Sequence, residues 1–372
     1  MISPARRSLA ALVVAAVAFA APSASGQKAP GRDWPVGATT RRLVPQGTYH
    51  WRGAATHALV TSVWYPAVAE TSMSEHDIGP AGSPWFRLGA WADEAQAAKG
   101  RFPLIALSHG TGGSAQMMAW LARVLASRGY VVAAVNHPGN HALEAYTAEG
   151  FLLWWERARD LTTVIDLLLR DKQFAPLIDQ QRIGAAGFSL GGYTVIEIAG
   201  GRTDPALFRN FCRSVQAEGC ADPPEFPTLF ARWAELEATN QPFRRAVGQA
   251  GRSYRDPRVR SVFAIAPALG PAFIPESLRR ITTPVAIVAG TDDAIVPIGS
   301  NAQLLGTLIP RASVMLLPDG VEHYTFLAAC TEAGRRAQPQ LCTDRSGVDR
   351  AAIHQRIAER AVEYFDATLP GR

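Results

Sequence analysis

The sequence predicts an α/β protein: a mostly parallel sheet of about eight strands with helices on both faces. Two observations carry this expectation. From residue 103 onward, short apolar runs alternate with stretches of helical period, and parallel strands joined by crossover helices are what such alternation requires. The 372 residues are 48% hydrophobic and 19% charged, so the chain has apolar side chains enough to cover both faces of a sheet. That composition excludes a disordered or collagenous protein, and a formal charge of +5 predicts no polyanionic partner such as nucleic acid.

In chain order, residues 1–26 read as a secretory signal peptide. Arg6 and Arg7 precede an uncharged run over 9–21, and small residues close it at Gly26. Thirteen helical residues span about 20 Å, short of the roughly 30 Å hydrocarbon core, so no stable membrane anchor is expected. Residues 27–372 are then one domain. Residues 41–65 carry two strands, the second ending at Pro66, and 67–101 reads as a long connection with Gly79-Pro80 and Ser83-Pro84 as turn signals.

The alternation follows: a strand over 103–108, a helix with Met118, Leu121, Ala122 and Leu125 on one face, and a strand over 130–135. Next come a helix presenting Leu161, Val164, Ile165 and Leu168, a strand over 182–188 and a helix over 190–199. Residues 201–260 interrupt the pattern with many aromatic side chains and no clear strand. They read either as a helical insertion over the carboxyl ends of the strands or as ordinary surface helices. Strands over 261–266, 284–289 and 313–317 and a closing helix over 350–365 complete the domain.

Export makes disulfides the natural state of Cys212, Cys220, Cys330 and Cys342, since no pair has the C-x-x-C spacing of a zinc or redox site. Three pairings are open. The sequence-local one, Cys212 with Cys220 and Cys330 with Cys342, closes two short loops.

Chemistry concentrates at Gly187-Phe188-Ser189-Leu190-Gly191, a G-x-S-x-G motif between a strand and a helix. A serine there sits on a tight turn that lifts its hydroxyl clear of the sheet, and the flanking glycines avoid collisions with neighbouring backbone. A hydroxyl nucleophile needs a base, and the base needs a carboxylate to fix its tautomer. Asp293, in the turn after the strand over 284–289, and His323, on the loop after the next strand, supply both in the order Ser, Asp, His. Asp293 is preferred for its offset from Gly290 and Pro297. Asp292 is the alternative and otherwise buttresses the turn. His109 opens a glycine turn, His109-Gly-Thr-Gly-Gly113, whose backbone can enter the site, so the N–H groups of Thr111 and Leu190 are the expected oxyanion donors. No Lys-Ser/Thr follows that turn, which excludes a P-loop. His109, His137 and His141 are pocket candidates, whereas His50, His57, His76 and His354 read as surface or packing residues. No metal site and no cofactor is expected.

With these residues assembled, the chain resembles the α/β-hydrolase superfamily, and within it the bacterial group similar to dienelactone hydrolases and platelet-activating-factor acetylhydrolases. The resemblance rests on residues 107–113, 135–140, 187–192 and 290–293 and on His323. It implies the α/β-hydrolase fold, a Thr111 oxyanion amide, and carboxylic esters as substrates, with short acyl groups. Dienelactone hydrolase proper has a cysteine nucleophile where this chain has Ser189, which favours general ester hydrolysis. The reading is therefore an exported serine esterase acting on a small or lipid-like ester. Its rivals are a lipase, polyester hydrolase or peptidase of the same fold, and a binding protein that has lost catalysis.

Overall fold

Strands that run the same way cannot be joined by a tight turn, so each crossover between them lays a helix across the sheet. The computed structural model describes residues 1, 33–214 and 219–371. The leader expected over 1–26 therefore falls outside the described residues, Met1 apart. The strands are β1 (Val36–Leu43), β2 (Leu59–Pro66), β3 (Ser74–Ile78), β4 (Phe86–Asp93), β5 (Phe102–Ser108), β6 (Val131–Val135), β7 (Ile178–Phe188), β8 (Val259–Ile265), β9 (Val285–Gly290), β10 (Ala312–Leu317) and β11 (Ala329–Cys330). They form one sheet in the order β10-β9-β8-β7-β5-β6-β2-β1-β4-β11, with β3 paired to β4. From β10 to β6 every neighbour is parallel. β2 runs antiparallel to both β6 and β1, and β3 and β4 form an antiparallel hairpin.

Among the described residues the sheet has eleven strands where the sequence predicted about eight. Two of the additional strands lie in 67–101, predicted as a connection. Phe86, Leu88 and Trp91 are buried while Arg87 is exposed, so this stretch presents one apolar face, and the Gly79-Pro80 and Ser83-Pro84 signals fall in the hairpin turn. The third is the two-residue β11, too short to leave a periodic signature.

Every residue of β5 and β6 is buried, because helices cover both faces. On one face lie helix Glu156–Leu168, with Leu161, Val164, Ile165 and Leu168 in the core, and helix Leu190–Ala199, buried along its whole length. On the other lie helices Ala119–Ser127 and Arg350–Thr368. Each fully buried Leu, Ile or Phe contributes about 1.5–3 kcal/mol, so this two-sided core is what fixes the strand ends in place.

Segment 201–260 contains helices Pro205–Cys212, Leu229–Thr239 and Gln241–Val247. Its aromatic side chains pack on one another and on the domain: Phe208 lies edge-on to Trp154 at 5.4 Å and Trp233 edge-on to Phe243 at 5.6 Å. The cysteines form the two sequence-local disulfides, Cys212–Cys220 and Cys330–Cys342. Among the described residues no helix is long and apolar enough to cross a membrane.

Candidate active site

The carboxyl ends of β5, β7, β9 and β10 meet on one side of the sheet, and the loops leaving them carry the polar residues singled out in the sequence. Ser189 follows β7 directly, with φ 57° and ψ −118°, a conformation that is costly for a residue with a Cβ. The turn is held by Ser189 N–H donating to Ile265 O at 2.8 Å and by Ser189 O accepting from the N–H groups of Tyr193 and Ala268. The flanking glycines are there for space: a Cβ at Gly191 would lie 2.6 Å from the carbonyl carbon of Ser108, and one at Gly192 would lie 2.7 Å from Pro267 Cα. The tight turn sets Ser189 at the carboxyl end of the central strand β7, where it lines the cavity.

His323 Nε2 lies 2.9 Å from Ser189 Oγ, and His323 Nδ1 lies 2.7 Å from Asp293 Oδ2. Asp293 Oδ1 accepts from the N–H groups of Ile295 at 3.0 Å and Val296 at 2.7 Å, which fixes the carboxylate. All three side chains are buried. Asp292 points elsewhere: its Oδ1 pairs with Arg345 at 2.8 Å, and Arg345 also holds Glu322, next to His323, at 2.7 Å. One exposed guanidinium thus ties the acidic turn to the histidine loop.

The loop after β5 approaches Ser189 from the other side, and Thr111 and Leu190 both line the cavity in front of it. The N–H of Leu190 opens its helix and so has no acceptor within it. The glycine turn is held from behind by residues whose part the sequence did not reveal. Gly112 N–H donates to Asn140 Oδ1 and Ala115 N–H to Asn136 Oδ1, both at 2.8 Å. In the sequence the 135–140 stretch stood out only through the resemblance and His137; its grip on the glycine turn had no local signature.

Of the three histidines expected as pocket residues, only His109 lines the cavity. His137 lies behind the loop, its Nδ1 2.7 Å from Asp160 Oδ2 and its Nε2 2.8 Å from Ser108 Oγ. His141 faces Glu144 at 3.0 Å. The difference arises because the β6 loop folds beneath the glycine turn rather than beside it. Burial, aided by Arg157, pushes the His137 imidazole down to about 3, so it is neutral. Arg52 and Tyr49 also bond Asp160, and although burial opposes ionisation, Arg52 and His137 keep that carboxyl well below the usual range. His354, expected as a surface or packing residue, is buried and stacks on Trp120 at 4.2 Å. His76 stacks on Trp91 and borders the cavity.

The cavity measures about 1140 Å³, large for a small-molecule site. Trp85, Trp91 and Met117 line one part; Trp154, Phe208 and Phe230 line another, the last two from segment 201–260. Glu225 of that segment packs against Gly112, and burial raises its carboxyl above the ordinary value. Among the described residues no cluster of three or more His, Cys, Asp and Glu side chains is placed to hold a metal ion.

A solved ferulic acid esterase from Streptomyces cinnamoneus superposes with a TM-score of 0.61, covering 92% of this chain and 93% of its own at 19% identity. The fold is that of the α/β-hydrolases. A family model described as platelet-activating factor acetylhydrolase, isoform II, matches residues 85–152 of this chain. That stretch holds the glycine turn and the Asn136–Asn140 loop but not Ser189, Asp293 or His323. No curated protein matches the chain in sequence.

Proposed function

We propose that this α/β-hydrolase cleaves carboxylic esters through an acyl-enzyme on Ser189. The observation that carries the reading is the line of hydrogen bonds from Asp293 through His323 to a serine held at positive φ, opening onto an apolar cavity. Ser189 Oγ attacks the ester carbonyl as its proton passes to His323 Nε2. The carbonyl oxygen becomes an oxyanion facing the N–H groups of Thr111 and Leu190. Collapse breaks the bond to the alcohol, which leaves with the proton from His323. Water then gives a proton to His323, attacks the acyl carbon and releases the acid, restoring Ser189. Asp293 holds the imidazole with its proton on Nδ1 and offsets the charge of the imidazolium. No step calls for a metal or organic cofactor.

The substrate in this reading is an uncharged ester with a short acyl group and an apolar alcohol. The family match over the glycine turn supports the short acyl group, and the aromatic walls support the apolar alcohol. The cavity volume also favours a second reading, a lipase-like preference for long acyl chains. kcat/KM for p-nitrophenyl acetate, butyrate and palmitate separates the two: it falls with chain length in the first and rises in the second. The two disulfides and the leader pattern support export.

A fluorophosphonate probe tests the chemistry. It is expected to label Ser189, to leave Ser189→Ala unlabelled, and to react with His323→Asn about 10³-fold more slowly. Equal labelling of the His323→Asn variant and the native protein overturns the proposal.

A further inference from the structure

The glycine turn after β5 poses a problem of rigidity. Gly110, Gly112 and Gly113 leave it free to adopt many conformations, yet an oxyanion donor is useful only when its N–H is already aimed. The relevant peptide group joins Gly110 to Thr111: its N–H is the proposed donor, and its carbonyl oxygen, Gly110 O, points the opposite way. That oxygen accepts from His109 Nδ1 at 2.6 Å and from Gly113 N–H at 3.3 Å.

The tautomer of His109 follows from its other nitrogen. His137 N–H donates to His109 Nε2 at 3.2 Å, so Nε2 is the acceptor and Nδ1 carries the hydrogen. Protonating Nε2 would set two donors against each other. Burial and the charge of Arg157 both oppose that protonation, with His137 and His141 as the other titratable neighbours. Arg157 also fixes the backbone of the same residue: its Nη2 donates to His109 O and lies 3.4 Å from Ser108 Oγ. Its guanidinium is completely buried, and among the described residues Nε and Nη1 have no hydrogen-bond partner. Burial pushes the group down to about 9, still cationic at neutral pH, with Asp160 one turn further along the helix opposing the shift. A buried charge is costly to keep, and this one directs its hydrogen bonds at the Ser108–His109 junction where β5 ends.

We propose that His109 and Arg157 are positioning residues for the oxyanion hole, His109 by donating to Gly110 O and Arg157 by gripping His109 O, which together turn the Thr111 N–H toward Ser189. A hydrogen bond at a peptide carbonyl also strengthens the N–H of the same peptide as a donor, so His109 polarises the group that it orients. The inference rests on the ester-hydrolase reading above and adds residues that act through the Gly110–Thr111 peptide.

The test replaces His109 by two amides. In His109→Asn the side-chain nitrogen comes near the place of Nδ1 and can donate to Gly110 O; in His109→Gln it comes near the place of Nε2 and faces the His137 N–H instead. kcat is expressed per site titrated by fluorophosphonate, so any unfolded fraction drops out. The Asn variant is expected to keep kcat within about tenfold of native and the Gln variant to lose about 10²-fold, each with KM within about twofold. Arg157→Lys, which retains charge but not the fork, is expected to fall between them. A trifluoromethyl ketone should lose affinity in proportion to kcat/KM, while a non-hydrolysable amide analogue binds unchanged. Equal kcat for Asn and Gln variants, or losses confined to KM or to thermal stability, overturns the inference while leaving the hydrolase reading intact. Absence of ester turnover by the native protein overturns both.

Discussion

Gly191→Ala is a small change with a large expected effect. A Cβ at position 191 would lie 2.6 Å from Ser108 C, 2.8 Å from His109 O and closer still to Ser108 O, whereas ordinary contacts begin near 3.4 Å. Neither partner can yield by a side-chain rotation, because all three atoms are backbone. Relief requires the helix Leu190–Ala199 and the end of β5 to part by on the order of 1 Å, and misplacements of that size cost about 10²-fold in rate. This movement separates Ser189 from the glycine turn directly, so the loss belongs in kcat. Circular dichroism and thermal unfolding establish that the variant is folded, and steady-state hydrolysis of p-nitrophenyl acetate gives kcat and KM. A folded Gly191→Ala protein with kcat within threefold of native would refute the argument that this contact sets the geometry of the site.

Two further perturbations address the frame. Glu197 is buried beside Tyr193 and Thr203, and burial pushes its carboxyl up to about 8 from 4.5. The folded state therefore binds more protons than the unfolded state between these values, and stability falls as pH rises through that window, by about 3–4 kcal/mol from pH 5 to 8. Urea titrations of Glu197→Gln should show this decline flattened; a decline parallel to that of the native protein counts against it. Replacing Cys330 and Cys342 by serine opens a loop of sequence separation 12, with an expected loss of about 3 kcal/mol. Calorimetry of the double variant should show a melting temperature lower by several degrees, and an unchanged one removes the disulfide from the account of stability.

Sequence patterns captured what is local or periodic. The G-x-S-x-G turn announces itself because backbone geometry dictates its glycines, and Asp293 and His323 could be placed because each follows an apolar run that ends a strand. Offset alone left Asp292 as a rival to Asp293, and the pairing of Asp292 with Arg345 depends on a residue more than fifty positions away. Arg157 and Asp160 were hidden for a similar reason. They occupy the first turns of a helix whose apolar face was legible, but a charged side chain reads as solvated unless its distant partners, here Arg52, His109 and His137, are known. The hairpin of β3 and β4 escaped because its glycine and proline signals outweighed a short alternation of Phe86, Arg87 and Leu88.

The pairing of β11 with β4 has a consequence for when the molecule becomes competent. It joins Cys330 to Phe86, and contacts so remote along the chain form only after a large loop has closed. A polypeptide that stops well short of this pairing, before β9, can hold the Ser189 turn, yet it lacks Asp293, His323 and the part of the cavity wall that Leu327 and Leu341 supply. On the hydrolytic reading, truncation anywhere before His323 yields an inert product, and ester cleavage waits for the late pairing of β11 with β4.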